Sequence, residues 1–123
     1  ELPAEKIFED EVVVAIMDIM PRADGHMLVL PKNPCRNILD ANISQLNVCI
    51  ELVQRLAKAS FKAFNADGIT VQQFNEAAGG QEVFHLHFHI LPRRAGAKLR
   101  PHDGKMADPE ILKSYADKVR LVV

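Results

Sequence analysis

Long apolar runs, excess charge and closely spaced cysteines are all missing from this chain of 123 residues. No apolar stretch approaches the roughly 20 residues that a helix needs to cross a bilayer, so we expect no membrane partner. Fifteen Lys and Arg against sixteen Asp and Glu leave a formal net charge of −1. Neither the basic footprint of a nucleic-acid-binding protein nor a solubilising acidic tail is therefore indicated.

Cysteine is scarce, with Cys35 and Cys49 as its two examples. They do not form the close pair typical of metal sites, and we recognise no signal peptide ahead of them. Free thiols in a reducing compartment are the expected state, which predicts a cytoplasmic protein. A chain of this length, without internal repeats or low-complexity segments, is expected to form one domain, residues 1–123, around one core.

Three alternating histidines are the most informative feature of the chain. His85, His87 and His89 are separated by the apolar residues Leu86 and Phe88. Side chains on a β-strand alternate between its two faces, so a strand here would place all three imidazoles on one face. A lone histidine on an apolar strand is commonly a core residue. Each imidazole needs partners for both ring nitrogens or access to solvent, and a structural role rarely requires that for three histidines in five residues.

Two functional interpretations remain, a metal site and a site for phosphoryl chemistry. Alternate strand residues lie roughly 6.6 Å apart, so the Cα atoms of His85 and His89 should be about 13 Å apart. Zinc requires imidazole nitrogens at about 2.0–2.1 Å from one point, which the outer pair could reach only by sharp bending of the strand. We therefore expect no metal and no cofactor. An extended polyanion fits better, because one ring can attack phosphorus while its neighbours hydrogen-bond the oxygens.

The loop before the histidines strengthens the phosphoryl interpretation. Residues 77–81 read Ala-Ala-Gly-Gly-Gln, and the backbone N–H groups of such small residues can approach an anion closely, as in a backbone nest. Alone, a Gly-Gly loop is usually just a turn. Joined directly to the histidines, it predicts a phosphate cradle.

The pattern His-Leu-His-Phe-His-Ile-Leu at 85–91 resembles the motif of the histidine triad (HIT) superfamily of nucleotide hydrolases and transferases. Other matching segments are residues 1–4 (Glu-Leu-Pro-Ala), 8–10, 18–21, 25–32 and Asn75. The resemblance, closest to the phosphoramidase branch, implies a homodimer that binds a purine nucleotide, an adenosine or guanosine 5′-phosphate derivative. That family usually has a further segment before Glu-Leu-Pro-Ala, so we expect residues upstream of Glu1, with processing as the alternative.

Catalytic roles are also implied by the resemblance. His87 matches the family nucleophile, which would form a covalent nucleotidyl-histidine that water resolves to the nucleoside monophosphate. His85 and His89 would orient that ring and stabilise oxygens that gain charge, and His26 would support the triad from an adjacent strand. The positions implied to bind the nucleotide are Asp18, Ile19, Asn75, Gly80, Gln81, Glu82 and Val83.

Some of these nucleotide-binding positions have alternatives. The residues alone allow Asp18 to be a turn-former, whereas the family's acidic residue accepts charge-assisted hydrogen bonds from the ribose hydroxyls. Ile19 would pack near sugar and base, and Asn75 would contact the phosphate or leaving group. Glu82 departs from the phosphoramidase pattern, which usually has a serine after Gly-Gln.

The departure at Glu82 leaves the substrate open. A P–N bond, as in adenosine 5′-phosphoramidate or an adenylated amine, is preferred, and a dinucleoside polyphosphate is the alternative. A nucleotide-binding regulatory module with little turnover is the rival from a different functional class.

Hydrophobic patterning and turn residues predict an α+β protein. The expected elements are strands at 5–9, 12–17, 26–30, 69–75 and through the triad, a long helix at 42–65 and a short helix at 109–119. Asn42 and Gln45 match a capping box, Gly68 is the expected stop of the long helix, and Asp108-Pro109 is a typical helix start. The resemblance makes this a HIT-like fold with an antiparallel meander of about five strands.

Two apolar stripes are expected on the long helix. The stripe expected to face the core contains Leu46, Cys49, Ile50, Val53, Leu56, Ala57, Ser60 and Phe64. The second contains Val48, Leu52, Ala59 and Ala63, and it suggests a further protein surface, consistent with the implied homodimer. A basic cluster of Arg93, Arg94, Lys98 and Arg100 could meet phosphate, although a solvated loop is the favoured interpretation.

Overall fold

The computed structural model describes residues 5–101 and 105–123, so the Glu-Leu-Pro-Ala segment at 1–4 lies outside the described residues. The elements are β1 (Lys6–Glu9), β2 (Val13–Met17), β3 (Met27–Pro31), α1 (Ile43–Ala63), β4 (Gly68–Gln72), β5 (Phe88–Arg93) and α2 (Pro109–Arg120), with a 3-10 turn at Ala77–Gly79. The predicted α+β class is confirmed, with a five-stranded antiparallel sheet, one long helix and one short C-terminal helix.

Strand order in the sheet is β1-β2-β3-β5-β4. The first three strands form the predicted meander, but the second half departs from it because β5 lies between β3 and β4. Since β5 is antiparallel to both neighbours, β3 and β4 run in the same direction. Parallel strands cannot be joined by a tight hairpin, and α1 supplies the crossover between them.

One face of the sheet is covered by both helices. Along β2 and β3 every second residue is buried and the others are half-buried. The buried set packs with apolar residues of α1 and α2 in one core. Leu86, Phe88 and Ile90 belong to the same core, so the alternating histidines face the other side.

Helix α1 begins as predicted but ends earlier. Asn42 Oδ1 accepts the Gln45 amide at 2.8 Å, and Gln45 Oε1 accepts the Asn42 amide at 3.1 Å, which completes the capping box. The helix stops at Ala63, not near Gly68, because Asn65 takes a left-handed φ of 48°. The Ala66 amide then bonds a carbonyl in the last turn, as in a Schellman motif.

The two predicted stripes of α1 are partly wrong. Ile50, expected in the core, is 52% exposed, whereas Leu52 and Ala59, expected on a second surface, are each 3% exposed. The helix packs against α2 as well as against the sheet, so it buries a wider face than one stripe. Its large exposed apolar residues are Ile43, Ile50 and Phe61.

Helix α2 starts as expected, since Asp108 Oδ1 accepts the Glu110 amide at 2.9 Å and Pro109 is the first helical residue. It buries Leu112, Ala116 and Val119 in the core. Within residues 5–101 and 105–123, no helix combines the length and apolar content that crossing a membrane requires.

Replacing the cap residue of α1 tests its contribution to stability. Asn42→Ala should lower the free energy of unfolding by about 1 kcal/mol, because it removes the acceptor of the Gln45 amide. The measurement is urea unfolding at fixed protein concentration. Asn42→Ser is the matched control, since serine can also cap, and an equal loss in both variants would contradict the assignment.

Candidate functional site

The histidines lie where strand pairing ends. Strand β5 begins at Phe88, so of the three only His89 is in the sheet, and the predicted strand through His85 and His87 is wrong. The β3–β5 register would place Pro31 opposite Leu86. Pro31 has no N–H to donate, and its carbonyl accepts His85 Nε2 at 2.8 Å. The ladder therefore stops, although the alternation of buried and half-buried residues continues back to His85.

Backbone carbonyls determine the tautomers of two triad rings. A carbonyl can only accept, so the 2.7 Å contact between His87 Nδ1 and the His85 carbonyl requires a hydrogen on Nδ1. In a neutral ring, His87 Nε2 then has the lone pair. By the same reasoning His85 Nε2 carries a hydrogen, which it donates to the Pro31 carbonyl. The middle histidine thus has the electronic form of a nucleophile.

His26 and His89 form a directed hydrogen-bonded pair. The Arg22 amide donates to His26 Nδ1 at 3.1 Å, so in a neutral His26 the hydrogen is on Nε2. That nitrogen lies 2.9 Å from His89 Nδ1. His89 Nδ1 is then the acceptor, and the neutral ring carries its own hydrogen on Nε2. The His89 ring centroid is 4.9 Å from that of His87, which places the His89 ring, an N–H donor, beside the middle histidine.

Asp18 lies at the same place. Its Oδ1 accepts the Met20 amide at 2.8 Å, and its Oδ2 is 3.4 Å from His26 Nε2. The structure therefore brings Asp18 together with His26 and His89. The next residue, Ile19, is half-buried and packs against the core cluster.

The proposed phosphate cradle is not arranged as the sequence suggested. The amides of Gly79 and Gln81 donate to the Glu76 carbonyl at 2.9 and 3.0 Å, and the Gly80 amide donates to the Ala77 carbonyl at 3.0 Å. These three N–H groups are consumed by the turn itself and do not form a nest. Gly80 still requires glycine, since its φ is 98° and an added Cβ would lie 3.2 Å from the Phe74 ring.

Gln81 is a structural hub. It is 5% exposed. Its Oε1 accepts from Asn37 Nδ2 at 3.0 Å and from the Glu76 amide at 2.8 Å. Its Nε2 donates to the carbonyls of Arg36 at 2.7 Å and Val83 at 3.1 Å. The side chain predicted to bind nucleotide is thus used to hold the loop that leads into the triad.

Sequence reasoning missed the partners of this hub. Glu76, at a left-handed φ of 67°, receives two hydrogen bonds from Arg36 at 2.7 and 2.9 Å and one from Asn37 at 2.7 Å. These donors, Arg36 first, hold the pKa of the Glu76 carboxyl below its usual value. The pairs are separated by about forty residues in the chain, and no local pattern marks them.

The other predicted residues lie around this loop. Asn75 Oδ1 accepts the Ile38 amide at 2.9 Å and Gln73 Nε2 at 2.8 Å. Glu82 and Val83 are exposed, and Phe84 separates them from His85. Neither cysteine has the form of a competing nucleophile, because burial raises the pKa of the Cys35 thiol and raises that of Cys49 to about 11.

A metal is the alternative use of the cluster. Asp18, His26 and His89 each bring one ligand atom within 4.8 Å of the others. However, His26 Nδ1 faces a backbone donor, which leaves the hydrogen on Nε2, the nitrogen that would bind the metal. Metal ligation by a neutral ring requires the opposite tautomer. The hydrogen bonds of the cluster therefore fit a proton-sharing chain better than a metal site.

Comparison with known proteins identifies relatives of this chain. The family profile described as "HIT domain" matches residues 1–96. A HIT-like protein of Bartonella henselae, solved with an unknown ligand, is 52% identical with a TM-score of 0.94 over 99% of this chain and 88% of that one. A zinc-bound histidine triad family protein of Mycobacterium smegmatis is 33% identical with a TM-score of 0.85 over 98% and 84%. An adenylylsulfatase of Arabidopsis thaliana is 32% identical over 86% of this chain and 57% of its own length.

Chelation distinguishes the two uses of the cluster. Hydrolysis of an adenylated amine should be unchanged after exhaustive treatment with EDTA, because His26 and His89 are engaged with each other and with a backbone donor. The measurement is the initial rate before and after chelation, with a buffer-exchanged sample as control. Loss of activity that zinc or manganese restores would establish the metal site instead.

Proposed function

The chain belongs to the HIT family, and on that premise we propose that it is a purine nucleotide-binding hydrolase. The bond cleaved joins a nucleoside 5′-monophosphate to its leaving group, and the reaction passes through a covalent nucleotidyl-histidine. The single observation that carries this proposal is the 2.7 Å contact of His87 Nδ1 with the His85 carbonyl, which leaves the lone pair on Nε2.

In the first step His87 Nε2 attacks the α-phosphorus. A new N–P bond forms, the bond from phosphorus to the leaving group breaks, and the leaving nitrogen takes a proton from solvent and departs as the amine. The ring becomes a cation, and the His85 carbonyl stabilises it through the hydrogen bond to Nδ1–H. The N–H on the neighbouring His89 suits a non-bridging oxygen as it gains charge, which preorganised donors stabilise by several kcal/mol.

In the second step water attacks the same phosphorus. The water oxygen stays on phosphorus, one of its protons is released to solvent, and the N–P bond breaks. The nucleoside 5′-monophosphate leaves, and His87 returns to its neutral form with the hydrogen still on Nδ1. Splitting one displacement into two gives each step a good nucleophile or a good leaving group. Asp18 would hold the ribose hydroxyls, since a carboxylate accepts charge-assisted hydrogen bonds.

Charge on the loop favours an amine as the leaving group. Glu82 places an exposed carboxylate three residues before His85. A carboxylate attracts a protonated amine and repels an anionic polyphosphate. A P–N substrate is therefore the first choice, and a dinucleoside polyphosphate is the second. The adenylylsulfatase relative supports an adenylyl group as the unit transferred.

Several further properties are part of the proposal. Residues 1–123 would form one domain. The free thiols of Cys35 and Cys49 support the proposal that the protein is located in the cytoplasm. A nucleotide-binding regulatory module with little turnover remains the rival function, and product release from an adenylated amine separates the two.

A homodimer is proposed from a surface different from the predicted stripe. Ile43, Ile50 and Phe61 of α1 are 70%, 52% and 46% exposed, and Val71 of β4 is 46% exposed. Strand β4 is the edge of the sheet and packs beside α1. Exposed apolar residues next to an open strand edge are typical of a surface that another protein covers.

Sedimentation equilibrium at micromolar concentration tests this surface. The wild-type chain should show twice its monomer mass, since buried apolar area stabilises association by about 25 cal/mol per Å². Ile50→Asp should shift the equilibrium to monomer, while Leu121→Asp, at an 85% exposed site on the C-terminal segment, should not. A monomeric wild-type protein would contradict the proposal.

Trapping the intermediate tests the nucleophile. With a substrate labelled in the α-phosphate, acid-labile and alkali-stable label should appear on the protein during turnover. His87→Ala should lose both label and turnover but keep binding of the nucleoside monophosphate, because Asp18 remains. Near-normal turnover in His87→Ala would replace covalent catalysis with direct attack by water.

The flanking histidines provide internal controls. His89→Ala should slow the reaction by on the order of 10²–10³, as expected for a lost charge-stabilising donor, yet still become labelled. His85→Ala should also be labelled, because the carbonyl that orients His87 belongs to the backbone. Circular dichroism confirms that each variant is folded before rates are compared.

A further inference from the structure

A second concave site lies away from the histidines. A cleft of about 480 Å³ is enclosed by the end of α1, the segment that follows β5, the loop before β3 and one side of α2. No triad histidine lines it. Its cationic lining residues are Arg22, Arg93, Arg94, Lys98, Arg100 and Lys118. The sequence showed four of these as a local cluster, and the fold adds Arg22 and Lys118 from separate elements.

Charge in the cleft is opposite to that of the whole molecule. Six of the fifteen Lys and Arg residues line it, although the chain as a whole has a net charge of −1. Asp24 is the carboxylate in the lining, and Arg100 pairs with it. Like charges gathered in a cleft raise the local potential and attract anions. The cleft is therefore electrostatically prepared for a negatively charged ligand.

Neutral acceptors hold the guanidinium groups in place. Arg22 Nε donates to the Arg100 carbonyl at 2.9 Å, an Arg93 nitrogen donates to the Thr70 hydroxyl at 3.1 Å, and an Arg94 nitrogen donates to the Phe64 carbonyl at 3.1 Å. Such bonds orient a side chain without cancelling its charge. Among the described residues, Arg100 is the one of the six cations that forms an ion pair, and its partner is Asp24.

Size and shape favour a small molecule. The volume is within the roughly 300–1,000 Å³ of typical small-ligand sites. Phe64 and Tyr115, whose ring centroids are 5.4 Å apart, form part of the wall, and Lys118 Nζ lies 5.8 Å from the Tyr115 ring. Guanidinium groups can donate two parallel hydrogen bonds to the oxygens of one phosphate, which is a common mode of phosphate recognition.

We propose that this cleft is a second binding site, separate from the triad, for a small molecule that carries two or more linked phosphates. Arg22, Arg93 and Arg94 bind the phosphate oxygens. Lys98, in the segment after β5, and Lys118, on α2, add positive charge to the cleft. The backbone amide of Arg22 also donates to His26, so Arg22 contacts both the cleft and the histidine that bonds His89.

Titration with inorganic tripolyphosphate, followed by amide NMR and calorimetry on the full chain, tests the site. Amide shifts should concentrate at residues 93–100 and 115–118, not at 85–89, with one ligand bound per chain. Lys98→Gln with Lys118→Gln should weaken binding by about tenfold, as two lost cations near a polyanion require. The rate of nucleotide hydrolysis should not change in this double variant.

The matched control removes equal charge elsewhere. Lys58→Gln with Lys113→Gln, at two exposed positions outside the cleft, should leave the affinity within twofold. If both double variants bound tripolyphosphate equally weakly, the effect would be a general attraction between the anion and the protein's positive charge, and the proposed site would be wrong. Absence of binding by the wild type, or shifts confined to the triad, would overturn the proposal. An oligonucleotide that bound more tightly and displaced tripolyphosphate would also overturn it, in favour of a nucleic-acid partner.

Discussion

Burial of a single amide side chain governs the architecture around the triad. Gln81 is almost fully enclosed, and a buried amide is tolerated only when its donors and acceptors are satisfied. Its four hydrogen bonds reach three separate segments, at 36–37, at 76 and at 83. Moving any of these segments would break at least one of the four hydrogen bonds of this buried side chain. The position of the loop before the histidines is therefore a consequence of this requirement.

Local patterns in the sequence correctly predicted those structural features that depend only on residues close together in the chain. The capping box at Asn42, the helix start at Asp108, the alternation of apolar residues with histidines and the α+β class need only nearby information. The cradle at Gly79 and Gly80 failed because amides can be used within a turn as readily as for a ligand. The predicted strand through His85 failed because it depended on Pro31, more than fifty residues earlier in the chain.

Contacts between distant segments explain the other misses. The wide buried face of α1 results from packing on α2, and a helical pattern alone cannot show how many neighbours a helix has. The bonds joining Arg36, Asn37 and Glu76 connect two loops that the sheet brings together. Helix α1 carries the chain from β3 past the position of β5, which places these loops side by side. Topology, not local propensity, assembled this part of the candidate site.

The bonds at His26 also have a direction, which bears on the movement of protons. A backbone amide such as that of Arg22 can give a hydrogen bond but cannot take up a proton, so the row that it starts through His26 to His89 is closed at that end. The Asp18 carboxylate, whose Oδ2 lies 3.4 Å from His26 Nε2, is a group beside this row that can take up a proton. Acid–base exchange along this row would therefore involve Asp18 and His89, and not the backbone amide behind His26.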